Sequence, residues 1–187
     1  MNSNQILIAT AISDNDLLGI LRLQQENLPR NISKEEAIEQ GFVTVEHSFD
    51  VLKRMNEKYQ HIIAKVNDEV VGYALVMTKE FRNDIPVLIP MFEKIDQLTY
   101  EGKSLSMQNY FVMGQVCIAK NFRGLGIFDL LYEKLEKNLS TQFTLCITEV
   151  ASRNIRSVKA HERVGFKTIH TYTDPRGEKW KIMAWNW

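Results

Sequence analysis

The stretch Cys117-Ile118-Ala119-Lys120-Asn121-Phe122-Arg123-Gly124-Leu125-Gly126-Ile127 decides the fold. It closes an apolar strand, Tyr110 to Ala119, and opens a helix, Gly124 to Leu139. The apolar residues Ile127, Leu130, Leu131, Leu135 and Leu139 of that helix share one stripe. Two glycines at the junction let the backbone approach a ligand closely with its N–H groups exposed. The helix macrodipole adds roughly half a positive charge there, so a pyrophosphate is the natural occupant, and Arg123 supplements the field. The plainer alternative is a tight turn into a helix with an incidental arginine. A Walker loop is excluded because Gly-Lys-Ser/Thr is missing, and a dinucleotide loop because Asp129 stands where the third glycine belongs.

Working outward, Phe143 to Val150 (FTLCITEV) reads as the next strand and Asn154 to Val164 as a helix. Lys167 to Trp187 reads as a hairpin around Asp174-Pro175-Arg176-Gly177. Upstream, HIIAKV from His61 and EVVGYALVMT from Glu69 form a second hairpin across Asn67-Asp68. Gln5 to Ala9 predicts a first strand. Ser13-x-x-Asp16 caps a helix through Leu17 to Leu23, Ser33 and Glu36 mark a second helix start, and Phe49, Val51, Leu52 and Met55 a third after the Gly41 break. Residues 79 to 108, with two prolines and then helical spacing at Phe92, Ile95 and Leu98, read as an inserted loop and short helix. This mixture of strands and helices is an α/β (α+β) chain.

Length and composition narrow the class. The 187 residues fit one domain, with 44% hydrophobic and 25% charged residues. Lys plus Arg and Asp plus Glu both total 23, so no net field favours a polyanion, and a dedicated nucleic-acid binder is not expected. The start, MNSNQILIATAISDNDLLGI, has neither a basic n-region nor a long apolar run, so no membrane anchor is expected and the cytoplasm is the default. Cys117 and Cys146 lie in apolar runs without partners at metal spacing and read as buried thiols, with no metal site.

Asn121-Phe122-Arg123-Gly124-Leu125-Gly126 resembles the acyl-CoA loop of the GNAT N-acetyltransferase superfamily, Gln/Arg-x-x-Gly-x-Gly/Ala, at both glycines; Asn121 departs from the usual Gln or Arg. Downstream, Asn154 through Gly165-Phe166 is similar to the family's Asn, helix, Tyr-x-x-x-Gly-Phe pattern, with His161 where the family often has Tyr. The likeness covers residues 110 to 187 and the strand–helix start, and is loose over 25 to 60 and 79 to 108. It implies a mixed, mostly antiparallel central sheet of about seven strands with flanking helices and a splay between the two central strands. The activity it implies is N-acetyl transfer from acetyl-CoA to a primary amine by direct attack in a ternary complex. The alternative is a non-catalytic acyl-CoA-binding regulatory protein; a nucleotide hydrolase lacks the needed metal-binding Asp and loop Lys.

The resemblance also implies roles. Backbone groups of Cys117 and Ile118 would pair with the pantetheine, the N–H groups of Arg123, Leu125, Gly126 and Ile127 at the Gly124 turn would hold the diphosphate, and Asn154 would reach the pantetheine or phosphate side or act as a helix cap. His161, inward on the helical wheel, either protonates the departing thiolate or is a hydrogen-bonded core imidazole. An amine of pKa ~10 must lose a proton. Glu149 is a carboxylate able to take it and Gln115 an amide able to place a water, unless both are structural hydrogen-bonders. A backbone N–H near Ile118 would hold the oxyanion, and direct transfer leaves Cys117 no nucleophilic role. The acceptor, a small-molecule or peptide amine, would lie against Gln40 to Thr44, with Gly41 and Phe42 as wall residues. The insertion with Phe81, Arg82, Phe92 and Tyr100 would form a lid or simply pack. Trp180, Trp185 and Trp187 bury large rings and are compatible with a homodimer interface.

Overall fold

The structure, a computed structural model, describes residues 5–187; residues 1–4, part of the start argued above, lie outside the described residues. The chain runs β1 (Leu7–Thr10), α1 (Asp14–Glu26), α2 (Lys34–Gln40), α3 (Phe49–Lys58), β2 (Ile62–Val66) and β3 (Glu69–Met77). It continues through α4 (Ile89–Gln97), β4 (Thr99–Tyr100), β5 (Lys103–Ser104), β6 (Tyr110–Ile118), α5 (Ile127–Leu139), β7 (Leu145–Ala151), α6 (Ile155–Arg163), β8 (Lys167–Thr173) and β9 (Lys179–Asn186).

Local chemistry sets these boundaries. Ser13 Oγ accepts the Asp16 amide at 3.2 Å while Asp16 Oδ2 accepts the amide of Ser13, a closed capping box that starts α1. Ser33 and Ser48 cap α2 and α3 through the amides of Glu36 and Val51. Asn67 (φ 49°) and Asp68 (φ 65°) make the left-handed two-residue turn that matches strand twist between β2 and β3.

Seven strands form one sheet in the order β1-β2-β3-β6-β7-β9-β8, antiparallel except for β6 and β7. Helices α5 and α6 cover one face, where Phe111, Met113, Cys146 and Val150 pack on Leu131, Leu135 and Val158. On the other face α1 and α3 bury Leu17, Ile20 and Leu52 against Tyr73 and Leu75. The insertion covers the rest of that face, packing Phe81, Phe92, Ile95 and Leu105 on Tyr110, Val112, Leu145 and Ile147. It is a layer of core: α4 is the short helix the sequence predicts, and three 3-10 turns and the β4–β5 ribbon stand in place of the expected loop.

One irregularity positions the site. The parallel pairing of β6 with β7 covers Tyr110↔Leu145, Phe111↔Cys146 and Val112↔Ile147 and then stops, although β6 runs on to Ile118 and β7 to Ala151. The register between β3 and β6 slips here, with Leu75 opposite Gln115 and Val76 opposite Met113, so Gly114 is an extra, bulged residue that bends β6 away. Strand β7 stays with β9 along all seven of its residues. The two central strands therefore part, as the resemblance implied.

Candidate active site

A cleft of ≈ 530 Å³ opens where β6 and β7 part, a volume in the range of small-molecule sites. Val116, Cys117 and Ile118 of β6, the turn at Gly124 and Gly126, and Asn154, Ser157 and Lys159 of α6 line it. Gly124 (φ 80°) and Gly126 (φ 77°) adopt backbone that disfavours side chains, and a Cβ at either would meet nothing within 4 Å. The turn is thus bent by glycine yet left open. The helical ladder of α5 begins with Leu130 N donating to Gly126 O at 3.2 Å, so the amides of Ile127, Phe128 and Asp129 have no helical carbonyl. Asp129, whose charge would oppose an anion, is paired with Arg163 at 2.8 Å.

The Arg123 guanidinium is spent elsewhere. It donates to Ile118 O at 3.0 Å, to Glu36 Oε1 at 3.2 Å and to Asn27 Oδ1 at 2.6 Å, and its side chain is only 12% exposed. Lys120 and Arg123 together hold the Glu36 carboxyl below its ordinary range. The arginine therefore ties α2 to the turn, and its charge is already balanced.

A second cavity of ≈ 70 Å³ lies deeper in the split, lined by Phe42, Thr44, Gln115, Glu149, Trp180 and His161 among others. Asn154 and Ser157 line both cavities, so the two meet at the first turn of α6. Asn154 caps α6, accepting the Ser157 amide at 3.2 Å. Gly41 lies flat against it: φ is 83°, and a Cβ there would stand 2.8 Å from Asn154 Oδ1. Phe42 follows, with the Arg153 guanidinium 4.4 Å from its ring centre.

Glu149 sits on β7 opposite Ile182, accepting a hydrogen bond from Tyr172. Burial pushes its carboxyl up to about 7, the Tyr172 hydroxyl pulls it down and Asp174 raises it further. A carboxyl balanced there is suited to taking a proton near neutral pH. Gln115, by contrast, is a bracket. Its Oε1 accepts from Gln24 Nε2 at 2.8 Å and from the Tyr73 hydroxyl, and its Nε2 donates to Val45 O at 2.9 Å. With Gln24 accepting the His47 amide, these side chains hold the irregular segment 41–48 across the split.

His161 is buried with both ring nitrogens engaged. Nδ1 lies 2.8 Å from Ser157 O and Nε2 2.8 Å from the Tyr132 hydroxyl. A carbonyl can only accept, so Nδ1 carries the proton and Tyr132 donates to Nε2. Burial lowers the ring's pKa to about 4. Of the two sequence readings, the geometry is that of a neutral, hydrogen-bonded core imidazole, and no acidic proton of its ring faces the cleft.

Tyr100 stands apart from both cavities. Its hydroxyl donates to Asn186 Oδ1 at 3.1 Å at the far end of β9, and the insertion packs at the Tyr110 end of β6, opposite to the Ile118 end that lines the cleft. The insertion is not a lid in this arrangement, because its apolar residues are already buried in the sheet. The sequence reading missed Ser157 and the bracket formed by Gln24; only the helical stripe shared by Asn154, Ser157 and His161 signalled the first.

Among the described residues no cluster of His, Cys, Asp or Glu could hold a metal, and no helix is long and apolar enough to cross a membrane. A sheet parted between parallel central strands, with an anion-ready helix start at the opening, defines an acyl-transfer fold. The chain belongs to the Acetyltransferase (GNAT) family, whose profile matches residues 17–166. Its fold is similar to the ribosomal-protein-S18-alanine N-acetyltransferase of Escherichia coli (14% identity, 97% of this chain and 94% of that one, TM-score 0.62). It is also similar to YncA of Salmonella typhimurium, solved with its cofactor acetyl-CoA (15%, 98% and 94%, 0.62). A third relative is the ribosomal-protein-alanine N-acetyltransferase of Brucella melitensis (19%, 97% and 99%, 0.62). At these identities the likeness is one of fold. No curated protein matches the chain.

Proposed function

We propose that this chain, acting as a single domain, transfers the acetyl group of acetyl-CoA to a primary amine by direct attack in a ternary complex. The observation that carries the reading is the pair of adjoining cavities along the unpaired edge of β6, one at the Gly124–Gly126 turn and one at Glu149, which share Phe42, Val116, Asn154 and Ser157 in their walls. In this reading the amides of Leu125, Gly126 and Ile127 hold the diphosphate, while that of Arg123 closes the preceding turn on Lys120 O at 3.4 Å. Cys117 and Ile118 offer backbone groups to the pantetheine as a sheet edge offers them to an added strand. Asn154 fixes the start of α6 beside the thioester.

Glu149 takes the amine's proton as nitrogen attacks the carbonyl carbon, and a β6 amide near Ile118 stabilises the oxyanion. Gly41 and Phe42 wall the acceptor, while Gln115 keeps their segment in place. Cys117 is a poor nucleophile, since burial pushes its thiol up to about 12.

The test is thiol release from acetyl-CoA across a mixed panel of primary amines, with mass analysis of the products. Acetylated amine together with free CoA is the expected result. Calorimetric binding of CoA with an inert panel would instead assign the chain as an acyl-CoA-binding regulator. Absence of CoA binding would overturn both readings.

A further inference from the structure

Three groups behind the cleft form a hydrogen-bond chain with a direction. The Tyr132 hydroxyl donates to His161 Nε2 (2.8 Å), and His161 Nδ1–H donates to Ser157 O (2.8 Å). The same N–H lies 3.4 Å from Ser157 Oγ. Because Nδ1 carries the proton, Ser157 Oγ can only accept from the ring, which leaves its own hydroxyl proton free to point away from it. Ser157 lines both cavities, so a hydroxyl turned from the ring has cleft beside it. Each donor in such a chain polarises the next, so the last hydroxyl is a better donor than an isolated serine.

We propose that Ser157 donates the hydrogen bond that receives the departing CoA thiolate, with His161 and Tyr132 as positioning residues that turn its hydroxyl outward. The proposal rests on the acyl-CoA reading above and extends it to a residue nothing else assigns. In the step itself the amine nitrogen bonds to the acetyl carbon and its proton passes to Glu149. The C–S bond breaks, its electron pair goes to sulfur, and the resulting thiolate is held by Ser157 O–H until water protonates it. No proton leaves Ser157. The arrangement also accounts for a buried His161: the ring orients the donor.

The experiment needs no acceptor. CoA is bound to the full chain and its thiol titrated by ultraviolet thiolate absorbance, in wild type, Ser157→Ala and Ser157→Thr, with calorimetry on each. The protein's thiols stay silent, because burial raises both Cys117, to about 12, and Cys146. Loss of one hydrogen bond to a charged sulfur lowers the bound thiol's acidity constant about tenfold in Ser157→Ala, while CoA affinity holds within about threefold. Ser157→Thr retains the hydroxyl and restores wild-type acidity. Equal acidity in wild type and Ser157→Ala, or a loss that threonine does not rescue, overturns the proposal while leaving CoA binding intact. Failure of wild type to bind CoA overturns the acyl-CoA reading along with it.

Discussion

Gly124 and Gly41 share a positive φ but not a neighbourhood, and the difference is measurable. At Gly124 a Cβ meets nothing within 4 Å, so Gly124→Ala costs only the left-handed backbone, about 1 kcal/mol in urea unfolding. Gly41→Ala carries the same backbone term and also drives a methyl into the Asn154 amide, so it loses more stability and disturbs the α6 cap as well. Greater loss from Gly124→Ala than from Gly41→Ala would contradict this. Glu149 supplies a pH test with a definite sign. Its folded pKa of about 7 exceeds the reference 4.5, so the native state holds an extra proton between those values. The stability it lends is complete below pH 4.5 and is lost as pH rises through 7. Glu149→Gln therefore stabilises the protein at pH 8, on the order of 2 kcal/mol, and changes nothing at pH 4. The ionised form is the base, so kcat/KM rises with pH and is half-maximal near 7 in wild type. A flat profile through that range would remove Glu149 from the chemistry.

At the scale of elements, the insertion is where function and packing separate. Phe92, on the buried face of α4, is fully buried, so Phe92→Ala should cost about 3 to 5 kcal/mol in chemical denaturation. Tyr100→Phe removes one exposed hydrogen bond and should leave acceptor KM and kcat unchanged. A shift in acceptor KM would restore Tyr100 to the site. Sequence legibility divides along the same line. Features written in neighbouring residues were readable: the Ser13–Asp16 box, the Asn67-Asp68 turn, the apolar stripe of α5 and the glycine turn before it. Features made by distant residues were not. Arg123 finds Asn27 and Glu36 across about ninety positions, Gln115 finds Gln24 and Val45, and nothing local announces either pairing. The insertion looked loop-like because its 3-10 turns lack a helical period, although its apolar side chains complete a second core.

Over the whole molecule, the order of the sheet explains why the active residues come from widely separated segments. Strands β6 and β7 are neighbours in space but are separated in sequence by α5, and the split between them gathers the turn before α5, the start of α6 and the segment after α2. Hydrophobic alternation could indicate that both strands are central, but the bulge at Gly114, where they part, is one extra residue and leaves no mark on a periodic pattern. The ladder between β6 and β7 stops after Val112, so the flank of β6 turned toward β7 beyond that rung has no strand beside it. Its amides should swap hydrogen for deuterium within seconds in the free protein, and the slowing of that exchange with added ligand would time the arrival of a guest that finishes the sheet.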